Sequence, residues 1–399
     1  MKLLASIRTR LYPTPMDPTF KAALRKGLIG FVISRICVLG GAAIVAAQEV
    51  VEINDAKGVR PSNASKLLMN VFAGWDGVWY LRIVRLGYPR HIPEELTYHD
   101  LPARAAFFPL YPTIVRAADK VLPGGDAVAG VTVNLFLSLV AIGLIGLLTF
   151  RLWGARVAER SMLLTALFPG AFVLSFVYAE ALLLVLAAGC LLLLQRERWL
   201  AAGLLAALAT ATRPNGLGLV AACAVAAYFA IRDDRKWRSL IAPLLAPLGF
   251  IGFQLFLWHQ TGERGAWFRV QRVAWDEGAS FGGSALAATL DFFRKPLSSP
   301  ADSLTAISLA TTIVLVVAAW KTRLSWAPAA YSAVVIALMV IPSTVTARPR
   351  FLYTAFPLLI AYAKWRDDDD ADRWAFTYTL CGAGLVVLTA MYGVRGAIP

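Results

Sequence analysis

Apolar residues along this chain fall into runs of about 14 to 24 residues, set apart by short stretches rich in arginine or in proline and glycine. A run near 20 residues is long enough to cross a bilayer as a helix. The pattern predicts spans at 28–47, 127–150, 161–177, 179–194, 199–212, 215–231, 239–258, 303–320, 326–345, 351–364 and 374–391. The shorter of these fit a membrane by local thinning of the bilayer, or as tilted or broken helices. Between the first two spans, apolar positions recur at helical spacing (Trp79, Ile83, Leu86) with Arg82 and Arg85 on the other side, an amphipathic helix lying on the membrane surface. Pro109 and Pro112, inside an aromatic stretch, mark a re-entrant or interfacial turn and not a crossing helix.

Composition agrees. Of the 399 residues 58% are hydrophobic and only 16% charged, with a mean hydropathy of +0.62. Ordinary soluble domains carry about a quarter charged residues, so a soluble enzyme, a secreted disulfide scaffold and a disordered tail are excluded. The fold class expected is an all-α polytopic membrane protein with about eleven spans. The net charge of +14 sits mostly in loops between the apolar runs; this is the positive-inside bias of membrane proteins, and no nucleic-acid partner is implied. The four cysteines (Cys37, Cys190, Cys223, Cys381) all lie within apolar runs, as small core residues do.

Charge also sets the orientation. A basic leader, residues 1–27, places the N-terminus in the cytoplasm ahead of a single transmembrane domain, 28–399. Alternation then puts Arg151/Arg156/Arg160, Arg196/Arg198, Arg232 to Arg238, Lys321/Arg323 and Lys364 to Arg373 inside. Residues 285–293 are read as an interfacial helix, because a twelfth span there would move Lys321 and Arg323 outside. The outer face then holds two long loops, 48–126 and 259–302, all three histidines and the densest motifs.

The outer motifs carry the chemistry. Asp76, between Trp75 and Trp79, reads either as a helix N-cap or as a carboxylate that takes a hydroxyl proton beside aromatic platforms for a sugar. His99-Asp100 reads as a polar contact or half of a metal pair, with no third ligand evident. Glu180 and Arg213 stand at outer helix ends, where an ionisable group is costly unless it is paired or lines a wet cavity. They could equally be an ion pair joining helices. Arg272, beside Gln271 in the second loop, and Arg348 and Arg350 in the last outer turn put guanidinium groups on the side that the bias disfavours; an anion, phosphate above all, is their natural partner. Lipid headgroups would serve as well.

Taken together these motifs resemble the PIG-V family, GPI mannosyltransferase 2 and its bacterial relatives, within the GT-C glycosyltransferases. The matching pieces are Trp75-Asp76 with Gly87-Tyr88, Ala106-Phe107-Phe108-Pro109, Tyr178-Ala179-Glu180-Ala181, Ala211-Thr212-Arg213-Pro214-Asn215-Gly216 and Arg350-Phe351, in the family's order. The stretch from Thr261-Gly262 to Gln271 is similar to the bacterial members. Pro214 departs from the Ser common in eukaryotic members, and the chain is shorter. The resemblance implies a helical membrane fold with an active site on the non-cytoplasmic face. It also implies a lipid-phosphate-linked mannose donor, inverting transfer without metal or cofactor, and an essential Asp in the first outer loop, here Asp76.

On that basis Asp76 is expected to be the general base. Arg348 and Arg350, with Arg213 and Arg272, are expected to hold the donor phosphate. Trp75, Trp79, Tyr80, His99, Asp100, Glu180 and Gln271 are expected to contact substrate: a polyprenyl-phosphate-mannose donor and a glycolipid or lipid-linked glycan acceptor, met among membrane lipids at the outer face of the cell membrane. Two alternatives stay open. One is a flippase for a lipid-linked sugar, which would need charges along its spans, where Arg35 in the first span stands nearly alone. The other is a related transferase acting on another sugar or on a protein.

Overall fold

The computed structural model describes residues 17–57, 64–344, 348–368 and 370–394. Lys2, Arg8 and Arg10 of the leader, and Thr346 and Ala347 of the last outer turn, lie outside the described residues. Among the described residues there is no β-strand, only one isolated bridge between Ala279 and Pro342.

Among the described residues six helices are long and apolar enough to cross a membrane, and they fall on six of the expected spans. The first runs Pro18–Lys57, starting ten residues before the expected boundary at 28 because Phe20 and Ala23 are already buried, Phe20 against Phe150 and Ala158. Ile29, Val32, Ile33 and Ile36 on its other side are exposed, as a lipid-facing surface should be. The helix Glu180–Gln195 is apolar on every side and buries all but three of its 16 residues. It is the axis of the bundle, packed against Asp126–Trp153 on one side and Trp199–Thr210 on another.

The remaining five expected spans are short or broken. Glu180–Gln195, Trp199–Thr210 and Trp326–Val340 are short apolar helices. The expected continuous spans 161–177 and 351–364 are each two pieces: Ala155–Leu167 followed by a 3-10 turn Pro169–Leu174, and Pro349–Thr354 followed by Pro357–Trp365. Proline, which offers no N–H, stands at both breaks; before Pro169 it pushes Phe168 out of the helical region, to φ −52 and ψ 139, whereas before Pro357 Phe356 stays helical and the chain departs at Ala355, φ −79 and ψ 40. The backbone groups freed inside the bundle find side chains. Asn134 donates to the carbonyls of Phe176 and Tyr178, Ser138 to Leu174, and Arg35 to the Ala171 carbonyl and the Ser175 hydroxyl. The charge in the first span thus serves the broken segment.

Residues 285–293 lie within a helix, Gly283–Arg294, of 12 residues. At 1.5 Å per residue it spans about 18 Å, well short of a ~30 Å hydrocarbon core. The helix Leu110–Asp119, begun by Pro109 and holding Pro112 in its first turn, is likewise too short to cross.

Candidate active site

The segment Gly74–Trp75–Asp76 turns the chain from one short helix, Ala64–Phe72, into the next, Asp76–Leu86. Trp75 sits at φ 50 and ψ −118, a region that L-residues seldom occupy and that costs on the order of 1–3 kcal/mol. It is held there by neighbours from the far end of the chain. The Trp75 indole donates to the Tyr392 carbonyl at 3.0 Å, and the Tyr392 hydroxyl donates to the Gly74 carbonyl at 2.7 Å. Tyr392 thereby spends its proton, so the Tyr178 hydroxyl is the donor in the Tyr178–Tyr392 contact and accepts from the Asp76 backbone N–H at 3.4 Å.

This turn aims the Asp76 carboxylate into a cluster of buried charges. Asp76 opens its helix, but its side chain caps no backbone group; Oδ2 accepts from Arg350 Nη1 at 2.7 Å and lies 4.0 Å from Arg213 Nη1. Glu180, wholly buried, stands 2.7 Å from the same Arg213 nitrogen. That contact is an ion pair by distance, yet its angles make no hydrogen bond, and both Glu180 oxygens, Arg213 Nη1 and Arg350 Nε lack hydrogen-bond partners among the described residues. The two guanidinium groups also lie over the Phe351 ring, and Arg350 over that of Tyr178. The cluster is therefore an acid held by arginines, with donor capacity to spare, closed in by aromatic rings.

The other residues singled out in the sequence lie in different surroundings. Arg348, two residues from Arg350, turns the other way: extended at the helix start, it donates to the Ala301 carbonyl at 3.1 Å and to the Thr305 hydroxyl. Trp79 is buried against Phe107 and Trp275, with Arg82 over its ring. Tyr80 is buried edge-on to Phe107 and Tyr111, and that burial keeps its phenol protonated, well above the ordinary range. His99 and Asp100 are exposed. The Asp100 carboxylate accepts from the Thr97 N–H and hydroxyl, bonds that hold it below the usual carboxylate range and make it a turn-builder. Arg272 is exposed, and Gln271 meets Glu277 only through its backbone carbonyl.

The second long loop, 259–302, nevertheless belongs to the site's architecture. Trp267 donates to the Ala106 carbonyl at 3.0 Å, and Arg269 donates to the carbonyls of Ile92 and Pro93 while pairing with Glu263. Glu277 accepts from the N–H groups of Ser343 and Thr344, tying this loop to the last outer turn. Tyr392 is the site residue the sequence did not single out; its one signal is an aromatic ring at the end of the last span, where interfacial anchors are common.

A bundle of membrane-crossing helices with a buried acid–arginine cluster at one end defines a multi-pass membrane protein with an enzyme-like site. The family described as mannosyltransferase (PIG-V) matches residues 45–260, more than half of the chain, and the protein belongs to that family. Asp76, Glu180 and Arg213 lie inside the matched region, and Arg350 beyond it. No curated protein matches the chain. Among solved structures, ArnT from Cupriavidus metallidurans in the apo state is 16% identical with a TM-score of 0.46, over 79% of this chain and 62% of that one. The same enzyme bound to undecaprenyl phosphate is 12% identical with a TM-score of 0.48, over 84% and 78%. The Archaeoglobus fulgidus oligosaccharyltransferase tethered to an acceptor peptide is 12% identical with a TM-score of 0.39, over 80% and 51%. This chain thus spans less than two thirds of the first of these structures.

Proposed function

We propose that the protein transfers mannose from polyprenyl-phosphate-mannose to a glycolipid or lipid-linked glycan at the outer face of the cell membrane, with inversion and without a metal. One observation carries this reading: Asp76 has Oδ2 fixed by Arg350 and Oδ1 without a hydrogen-bond partner among the described residues, beside guanidinium nitrogens that likewise have none there. A base and a phosphate clamp in one constellation suit displacement of a phosphate from an anomeric carbon. Asp76 Oδ1 takes the proton of the acceptor hydroxyl as that oxygen bonds to the mannosyl carbon. The carbon–oxygen bond to the phosphate breaks, and its electron pair leaves with polyprenyl phosphate. Arg350 and Arg213 stabilise the charge that grows there, while Asp76 passes its proton on to solvent. The face is inferred from the loop charges, and a lipid-borne donor suits it because nucleotide sugars stay in the cytoplasm.

The test is transfer of labelled mannose from polyprenyl-phosphate-mannose into total membrane lipid by wild type and Asp76→Asn in matched membranes. General-base catalysis is worth about 10²–10⁴-fold, so the variant should lose at least 100-fold at unchanged protein level. Equal labelling by both would remove Asp76 as the base.

A further inference from the structure

A cavity of about 560 Å³ opens beside the Asp76 turn, between the far end of the first helix, the helices Ala64–Phe72 and Asp76–Leu86, and the end of the last helix. This is the range of pockets that enclose small ligands, about 300–1,000 Å³. Its wall includes Trp75 and Tyr392, the residues that set the Asp76 turn, while Asp76 itself, next in the chain, stands behind that wall.

The polar groups on this wall are uncommitted. Glu49, at the end of the first helix, has no hydrogen bond or ion pair among the described residues, nor has the Asn70 side chain. Arg82 rests over the Trp79 ring but donates to no protein acceptor among them, whereas neighbouring Arg85 is taken by Asp126. A carboxylate, a guanidinium and an amide therefore face one space with the Trp75 indole. That set offers acceptors and donors together with an apolar face, which matches the alternating hydroxyls and flat C–H face of a pyranose ring. Glu49 makes it a poor place for a phosphate, and the polar groups make it a poor place for an acyl tail.

We infer that this cavity seats the sugar headgroup of a glycolipid, the acceptor of the transfer; the inference rests on the functional reading above and adds the acceptor's site to it. The headgroup enters past Glu49 and presents a hydroxyl around Trp75 to Asp76.

The experiment uses the full chain in lipid nanodiscs, with octyl α-D-mannopyranoside below its critical micelle concentration as the probe and empty nanodiscs subtracted. Calorimetric titration should show saturable binding to wild type, weakened at least tenfold in Glu49→Gln/Asn70→Ala and, separately, in Arg82→Lys. Undiminished affinity in both variants, or no binding to wild type, overturns the assignment. Mannose transfer to the same probe, run in parallel, separates the two readings. Transfer with a KM indifferent to Glu49 and Asn70 sinks the cavity alone; binding that follows the variants without any mannose transfer supports the cavity and sinks the donor.

Discussion

Glu180 has no exposure and stands 2.7 Å from the same Arg213 nitrogen that lies 4.0 Å from Asp76, and we propose that it acts through the arginine. Breaking a buried ion pair by neutralising one partner leaves the other uncompensated, typically at a cost of about 3–5 kcal/mol. Glu180→Gln should accordingly unfold at a lower temperature in nanodiscs and lose transfer activity, while Glu180→Asp keeps the charge and recovers part of both. A Gln variant as stable as wild type would contradict the pairing. The groups of this cluster were legible in the sequence as ionisable residues at outer helix ends or in outer loops, where the membrane disfavours them. Which of them converge was not. Arg348 and Arg350 are two positions apart, and only the extended backbone at Arg348 followed by a helical turn sends one to Thr305 and the other to Asp76. Asp76 carried both a capping and a chemical reading; the side chain's bond to Arg350 in place of a backbone N–H favours the second.

The elements that carry this cluster are the broken ones. The 3-10 turn Pro169–Leu174 and the short helix Pro349–Thr354 pass so closely that a Cβ on Gly170 would stand 2.5 Å from the Pro349 carbonyl oxygen. Backbone cannot swing aside as a side chain can, so Gly170→Ala must shift the helix that begins at Pro349 and holds Arg350. Overpacking of this kind costs about 1–3 kcal/mol. The expected outcome is a lower unfolding temperature together with a raised KM for the lipid-phosphate donor; a variant with unchanged KM would show that Arg350 tolerates the shift. Pro169 and Pro357 mark both breaks in the sequence, yet hydropathy alone passes over them, because a broken apolar segment scores like an intact one. The partners that make the first break tolerable, Asn134 and Arg35, lie far away in sequence. Their roles needed the packing.

Across the whole molecule, Asp76, the cavity and the aromatic contacts between the two long loops collect at one end of the bundle, and the Arg-rich turns Arg196–Arg198 and Lys321–Arg323 at the other. The orientation of these ends depends on residues 285–293. If the Gly283–Arg294 helix crossed the membrane, Lys321 and Arg323 would face outward; if it lies at the interface, they face the cytoplasm. Its 12 residues and its exposed flanks at Phe281, Phe293 and Leu297 argue for the interface. Single cysteines at Leu297 and Arg323, in a chain freed of its own four, decide the matter with a membrane-impermeant maleimide on intact cells. Leu297→Cys should label without permeabilisation and Arg323→Cys only after it. Labelling of Arg323→Cys from outside would overturn this orientation. A span at 285–293 would put the Arg350 turn on the opposite side from the Asp76 loop, which the 2.7 Å contact between them forbids, so such labelling would turn the whole chain over and place both inside. The Asp76–Arg350 pair thus constrains the topology as much as the loop charges do: whichever face holds one must hold the other, and an even number of crossings must separate them.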